Sequence, residues 1–158
     1  MIAPFLTADA PATRALGERF GQALRDCRAT TSVPVLVTLS GELGAGKTTF
    51  VGGVLAGLGH VGPARSPTYT LIEPYRLAGR DVHHCDLYRL RHPDELEDLG
   101  LRELFQAGSV LLVEWPEKAG GRLGTPDVAI ELRYEREPAR EIRFVAESAP
   151  GAALLEHL

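Results

Sequence analysis

Apolar and polar residues alternate along this chain in two rhythms, one helical and one of strands, and together they mark out its elements. Ala15, Leu16, Phe20, Ala23 and Leu24 recur at helical spacing. They predict a helix from about Ala10 to Arg28, capped by Asp9, with Pro11 in its first turn. A short strand near Ile2 to Leu6 precedes it. Val33 to Leu39 is a nearly continuous apolar run, the mark of a buried strand. Thr49 to Leu58 returns to helical spacing and ends in the loop Gly57-Leu58-Gly59-His60-Val61-Gly62-Pro63. Pro67 to Arg76 and Asp81 to Asp86 predict an antiparallel hairpin across an Ala78-Gly79-Arg80 turn. A helix with acidic residues in its first turns begins at Pro93, is interrupted near Gly100 and ends by Gly108. Ser109 to Val113 is another buried strand, ending at Glu114. Asp127 to Tyr134 and Arg140 to Ala146 form a second hairpin. From Pro150 the tail is either a short helix or loosely ordered. Buried strands beside helices, joined by hairpins, predict an α/β fold with a mixed sheet.

Composition narrows the class. The 158 residues suit a single domain whose core needs no disulfides. No apolar run approaches membrane-spanning length, and the first residues lack the basic start and apolar core of a secretion signal. Cys27 and Cys85 lie far apart, so a reduced, cytosolic protein is expected. The formal net charge of -4 offers no basic surface for unaided nucleic-acid binding. Lys47 and Lys118 are the only lysines beside a large excess of arginine.

That scarcity draws attention to Gly41-Glu42-Leu43-Gly44-Ala45-Gly46-Lys47-Thr48, which fits G-x-x-x-x-G-K-[ST]. Each part has a chemical reason. Backbone N–H groups of the Gly-rich turn converge on phosphate oxygens, and glycine permits the dihedrals and the close approach. A lysine at position 47 reaches the β- and γ-phosphates, and the Thr48 hydroxyl can ligate Mg²⁺. The pattern counts only between a buried strand and a helix, and both flanks here have that form. The helix N-terminus then adds its dipole to the anion site.

Such a loop needs a carboxylate near the metal. Val110-Leu111-Leu112-Val113-Glu114 is an apolar strand delivering an acid at its C-terminal end, which in a parallel sheet lies beside the loop. Glu114 can bind Mg²⁺ directly or through water; the plain alternative is a strand-end acid facing solvent. Asp86 is a second candidate, for the outer metal shell or for orienting water, or else it caps a turn. His83, His84 and Cys85 do not have zinc-site spacing, and successive strand residues point to opposite faces, so packing is the expected role of all three. Ser66-Pro67-Thr68 stands where switch proteins sense the γ-phosphate, though a strand-start turn is the commoner use. Arg65 and Arg89 are either phosphate or partner contacts or solvated. Trp115 is core, a nucleotide contact or an interface anchor.

Four segments together carry a more specific signal. Gly41 to Thr49, Ser66-Pro67-Thr68-Tyr69-Thr70-Leu71, His84-Cys85-Asp86-Leu87-Tyr88-Arg89 and Val113-Glu114-Trp115-Pro116 resemble, in order and spacing, the TsaE family of bacterial tRNA threonylcarbamoyladenosine biosynthesis ATPases. The similarity runs from about Ala10 to Tyr134. It implies a three-layer fold of the phosphate-loop NTPase kind and an ATPase serving threonylcarbamoyladenosine formation in tRNAs that read codons beginning with A. It also implies partnership with a TsaB–TsaD pair, with tRNA met only through that complex, and ATP and Mg²⁺ as ligands. ATP hydrolysis would support multiple rounds of transfer. By position, Lys47 would bind phosphate, and Thr48 and Glu114 would hold Mg²⁺. Asp86 and Thr68 match polar positions around the nucleotide, Trp115 matches a functional position, and Thr13 is a candidate adenine contact. Cys85 departs from the family's larger apolar residue, and the stretch from Glu135 gives little family signal.

Two rivals remain open at this stage. A small-molecule kinase shares the loop and the metal chemistry, but no distinct arginine-rich lid follows the acid strand. A non-catalytic, nucleotide-gated binding module would not need Lys47, Thr48 and two candidate acids.

Overall fold

The computed structural model of the chain describes residues 2–65, 67 and 71–158. Its centre is a seven-stranded sheet in the order β1-β7-β6-β2-β5-β4-β3. The strands are β1 (Phe5–Thr7), β2 (Val35–Ser40), β3 (Ile72–Leu77), β4 (Arg80–Asp86), β5 (Val110–Glu114), β6 (Val128–Tyr134) and β7 (Arg140–Ala146). β2 runs parallel to both β5 and β6, and β4 runs parallel to β5. The β3–β4 and β6–β7 pairs are antiparallel hairpins, and β1 joins the β7 edge antiparallel. The sheet is therefore mixed, as its sequence rhythms predict.

Burial explains the two kinds of strand. β2 is buried from Val35 through Leu39 and β5 along its whole length, because helices cover both faces at the centre of the sheet. β6 and β7 alternate buried and more open positions, because one of their faces is open. Pro74 lies in β3, the edge strand, where its missing N–H breaks no inner ladder.

Two cores flank the sheet. On one face, helices α1 (Ala10–Asp26), α2 (Lys47–Gly57) and α4 (Ala149–Glu156) pack Phe20, Phe50, Val54 and Leu154 against Val37, Leu112, Ile130 and Phe144. On the other, the short α3 (Glu95–Asp98) and neighbouring 3-10 turns place Leu96, Leu101 and Ala119 against Leu36, Leu111 and Val113. The Asp9 carboxylate accepts from the Ala12 N–H and starts α1 as a cap should. α1 and α2 cross at glycines: a Cβ on Gly53 would lie 2.1 Å from the Arg14 carbonyl oxygen, and one on Gly17 would lie 2.2 Å from that of Phe50.

Several sequence expectations need correction. Ala15 is exposed, and the buried stripe of α1 instead runs through Thr13, Leu16, Gly17, Phe20, Gly21 and Leu24. β3 begins at Ile72 rather than Pro67; Leu71 has φ of 61°, which interrupts extended backbone just before the strand. The region from Pro93 to Gly108 is not one interrupted helix. It holds the four-residue α3 and a 3-10 turn at Leu101–Leu104, split by Gly100 at φ 66°. The tail forms α4, capped by Ser148 and anchored by buried Leu154 and Leu155.

Arg80 ties the two ends of this frame together and was missed in the sequence. It is 5% exposed and, among the described residues, hydrogen-bonds to backbone carbonyls and the Thr30 hydroxyl. Nε donates to the Gly108 carbonyl at 2.7 Å, Nη1 to Leu24 at 2.9 Å and Nη2 to Thr30 at 2.6 Å. Arg80→Lys keeps the charge but loses the planar fork, leaving buried carbonyls without donors. A loss of about 3 kcal/mol in unfolding free energy is expected, read by urea titration. An unchanged midpoint would show that these bonds contribute nothing net.

Candidate functional site

The Gly41–Thr48 loop leaves the C-terminal end of β2 and enters α2. Gly41, Gly44 and Gly46 all have positive φ. At Gly41 a Cβ would also stand 2.5 Å from the Leu132 carbonyl oxygen, so glycine is required there by space as well as by dihedral. Gly46 caps α2 with no side-chain hydrogen bond, which leaves the first-turn N–H groups directed at the loop's hollow.

Lys47 is 5% exposed. Its ammonium donates to the Gly41 carbonyl at 2.5 Å and the Glu42 carbonyl at 2.9 Å. It also lies 4.1 Å from the centre of the Trp115 ring, within cation–π range. Burial pushes its pKa down, and the nearby Glu114, Glu117 and Asp86 carboxylates oppose that shift. Trp115 holds a left-handed backbone, φ 59°, directly after β5. Its half-buried ring meets both the Lys47 ammonium and the Tyr88 ring, whose centre is 5.0 Å away.

The sheet register supplies the acids. β4 and β5 run parallel, with Asp86 opposite Glu114 and His84 opposite Leu112, so all four side chains share one face. Glu114 is 2% exposed, so it does not face solvent. The Thr48 hydroxyl donates to Glu114 Oε1 at 3.0 Å, and His84 Nε2 lies 2.5 Å from Oε2. Asp86 accepts from the Tyr88 N–H at 3.0 Å, a turn cap, and also lines the cleft. Burial raises the Asp86 pKa above the usual aspartate value, with the neighbouring Glu114 charge adding to it. Leu43, Gly44, Gly46, Thr49, Asp86, Tyr88 and Trp115 complete a cleft of about 250 Å³.

A hydroxyl and a carboxylate in contact at the loop's end are hard oxygen donors, the set Mg²⁺ takes alongside phosphate oxygens and water. The residues present therefore fit that ion. Thr13 lies at the back of the loop. Its hydroxyl bonds the Thr7 hydroxyl at 2.7 Å, it is 1% exposed, and its methyl backs Gly46 from behind. Thr68 and Ser66 lie outside the described residues. Arg65 pairs with Glu73 at 3.0 Å.

Three contributors were not picked out in the sequence. His84, expected to serve packing, contacts Glu114, while its neighbour Cys85 faces the opposite core with its thiol pushed up to about 12 by burial. Tyr134 and Arg140 are partners in the β6–β7 register. The Tyr134 hydroxyl donates to the Leu43 carbonyl, and the Arg140 guanidinium donates to those of Gly44 and Ala45, so the hairpin holds the loop from outside. The His84 position shares strand parity with Asp86, a signal available in the sequence. The Tyr134 and Arg140 contacts cross the sheet and carry no local signal.

Fold and loop together define the class: a mixed α/β protein whose glycine-rich loop joins the central strand to a helix, faced by an acid on the adjoining parallel strand. The model of the family "Threonylcarbamoyl adenosine biosynthesis protein TsaE" matches residues 7–142. The tRNA threonylcarbamoyladenosine biosynthesis protein TsaE of Haemophilus influenzae is 42% identical over 139 residues, covering 88% of this chain and 86% of that one. Its namesake in Streptomyces coelicolor is 40% identical, covering 87% and 90%. The crystal structure of Bacillus subtilis YdiB superposes with a TM-score of 0.70 at 28% identity, covering 98% of this chain and 91% of that one. The chain belongs to the TsaE family and thus to tRNA threonylcarbamoyladenosine biosynthesis.

Proposed function

We propose that this chain binds Mg²⁺-ATP at the Gly41–Thr48 loop and hydrolyses it, in the cytoplasm, to support repeated threonylcarbamoyl transfer to tRNA by a TsaB–TsaD pair. The observation that carries the reading is the contact between Thr48 and the buried Glu114 at the mouth of α2. Nothing in the packing of an apolar strand calls for a buried acid there; a cation site does.

The roles follow from the geometry. Lys47 exchanges its hold on the Gly41 and Glu42 carbonyls for phosphate oxygens, while the first turn of α2 donates backbone N–H groups. Thr48 and Glu114 would hold Mg²⁺, which would supply positive charge to offset the negative charge developing on the phosphoryl group. Asp86, one strand over from Glu114, would orient an attacking water. Its raised pKa makes the ionised form a stronger proton acceptor than an ordinary aspartate. Trp115 covers Lys47 and, with exposed Tyr88, presents the site's rim to a partner.

The test measures phosphate release and tRNA modification with purified TsaB–TsaD, with and without this chain. Slow hydrolysis alone, faster hydrolysis with the pair, and multiple modification rounds only when this chain is present are expected. Unchanged hydrolysis on adding the pair, with multiple rounds in its absence, overturns the coupling. Transfer of labelled phosphate to a small acceptor in place of water would favour a kinase.

A further inference from the structure

We infer that His84 is a positioning residue that holds the Glu114 carboxylate in the orientation a divalent cation needs. The inference rests on the Mg²⁺-ATP reading above and deepens it.

Glutamate has three rotatable bonds, and the single Thr48 hydroxyl, shared between Oε1 at 3.0 Å and Oε2 at 3.3 Å, does not by itself fix the carboxylate. His84 supplies the missing restraint. Its Nε2 lies 2.5 Å from Oε2, while Thr48 is 3.0 Å from Oε1. The two contacts approach the carboxylate from different elements, β4 and the first turn of α2. His84 and Glu114 are 1% and 2% exposed, so water does not substitute for either partner. The other ring nitrogen, Nδ1, is buried with no hydrogen-bond partner among the described residues. Among the described residues the hydrogen bond of the His84 side chain goes to Glu114. With the proton on Nε2, only a lone pair stays unmatched at Nδ1, which costs less than a buried unpaired N–H. Partners of metal-ligating carboxylates act in this way: they set orientation, and their loss weakens metal binding about 10- to 100-fold.

Three substitutions separate positioning from packing. His84→Gln keeps an amide N–H near the Nε2 position. His84→Asn has the same group one carbon shorter, so it cannot reach Glu114. Glu114→Gln removes the proposed ligand charge. Binding of Mn²⁺, used as a spectroscopic stand-in for Mg²⁺, is followed by electron paramagnetic resonance in the presence of ADP. ADP binding without metal and thermal melting are measured alongside.

His84→Asn is expected to weaken Mn²⁺ binding about tenfold, with metal-free ADP binding unchanged, and His84→Gln to recover most of the loss. In the Glu114→Gln background, His84→Asn should have no further effect on Mn²⁺, because its action passes through the carboxylate. Equal Mn²⁺ affinity in wild type, His84→Asn and His84→Gln overturns the proposal. So does a His84→Asn effect that persists undiminished beside Glu114→Gln, or one that weakens metal-free ADP binding equally. If the wild-type protein itself binds no Mn²⁺ with ADP, the Mg²⁺-ATP reading fails first.

Discussion

Lys47→Ala is expected to lower ATP turnover by on the order of 100-fold or more, with little change in melting temperature. The ammonium is the one compact positive charge in the loop, and it acts where negative charge builds up during phosphoryl transfer. The small effect on stability follows from its surroundings. Burial already disfavours this ammonium, and the Gly41 and Glu42 carbonyls, the Trp115 face and three carboxylates offset that cost. Removing the side chain removes cost and compensation together. Lys47→Arg should not restore turnover, since a planar fork does not fit a site shaped for a point charge. Phosphate release measured with the TsaB–TsaD pair, beside a melting curve, gives both numbers. Full turnover in Lys47→Ala would remove the loop from the chemistry.

Gly53→Ala should destabilise the fold by about 3 kcal/mol, whereas Gly52→Ala, its immediate neighbour in α2, should stabilise it by about 1 kcal/mol. The added methyl at Gly53 meets the Arg14 carbonyl at 2.1 Å and the Glu18 nitrogen at 2.9 Å, all backbone that can move only if the helices separate. At Gly52 it meets nothing within 4 Å, and alanine restrains the helix better than glycine. For a domain of this size the two changes correspond to a fall of about 10 °C and a rise of a few degrees in Tm. Separating α1 from α2 would also disturb Thr13, whose methyl backs Gly46. Hydrolysis should therefore fall in Gly53→Ala even below its melting point. Equal melting of the two variants would show that α1 and α2 adapt to the methyl.

What the sequence determined by itself is the local part. β2 and β5 carry their own apolar runs, α1 its own cap at Asp9, and the Gly41–Thr48 loop its own glycines, because dihedral preference, capping and face periodicity act within a few residues. The pairing of loop and acid was also legible, since an apolar strand ending in Glu114 needs only the parallel-sheet rule to place it beside Thr48. The fold class followed from the same rhythms. What only the tertiary structure decided is whatever depends on register and close approach. His84 is one of three similar residues on a strand; its parity with Asp86 puts it on the acid's face, but the β4–β5 register is what sets it against Glu114. The hold of Tyr134 and Arg140 on the loop carbonyls spans some ninety residues of chain. Arg80 reads as a turn residue until its fork is seen to meet carbonyls of Leu24, Thr30 and Gly108. The same holds for the glycines of α1 and α2, which look like weak points in two helices. All but Gly52 are the contact surface, because at Gly17, Gly21, Gly53 and Gly57 the two backbones come close enough to exclude a methyl group.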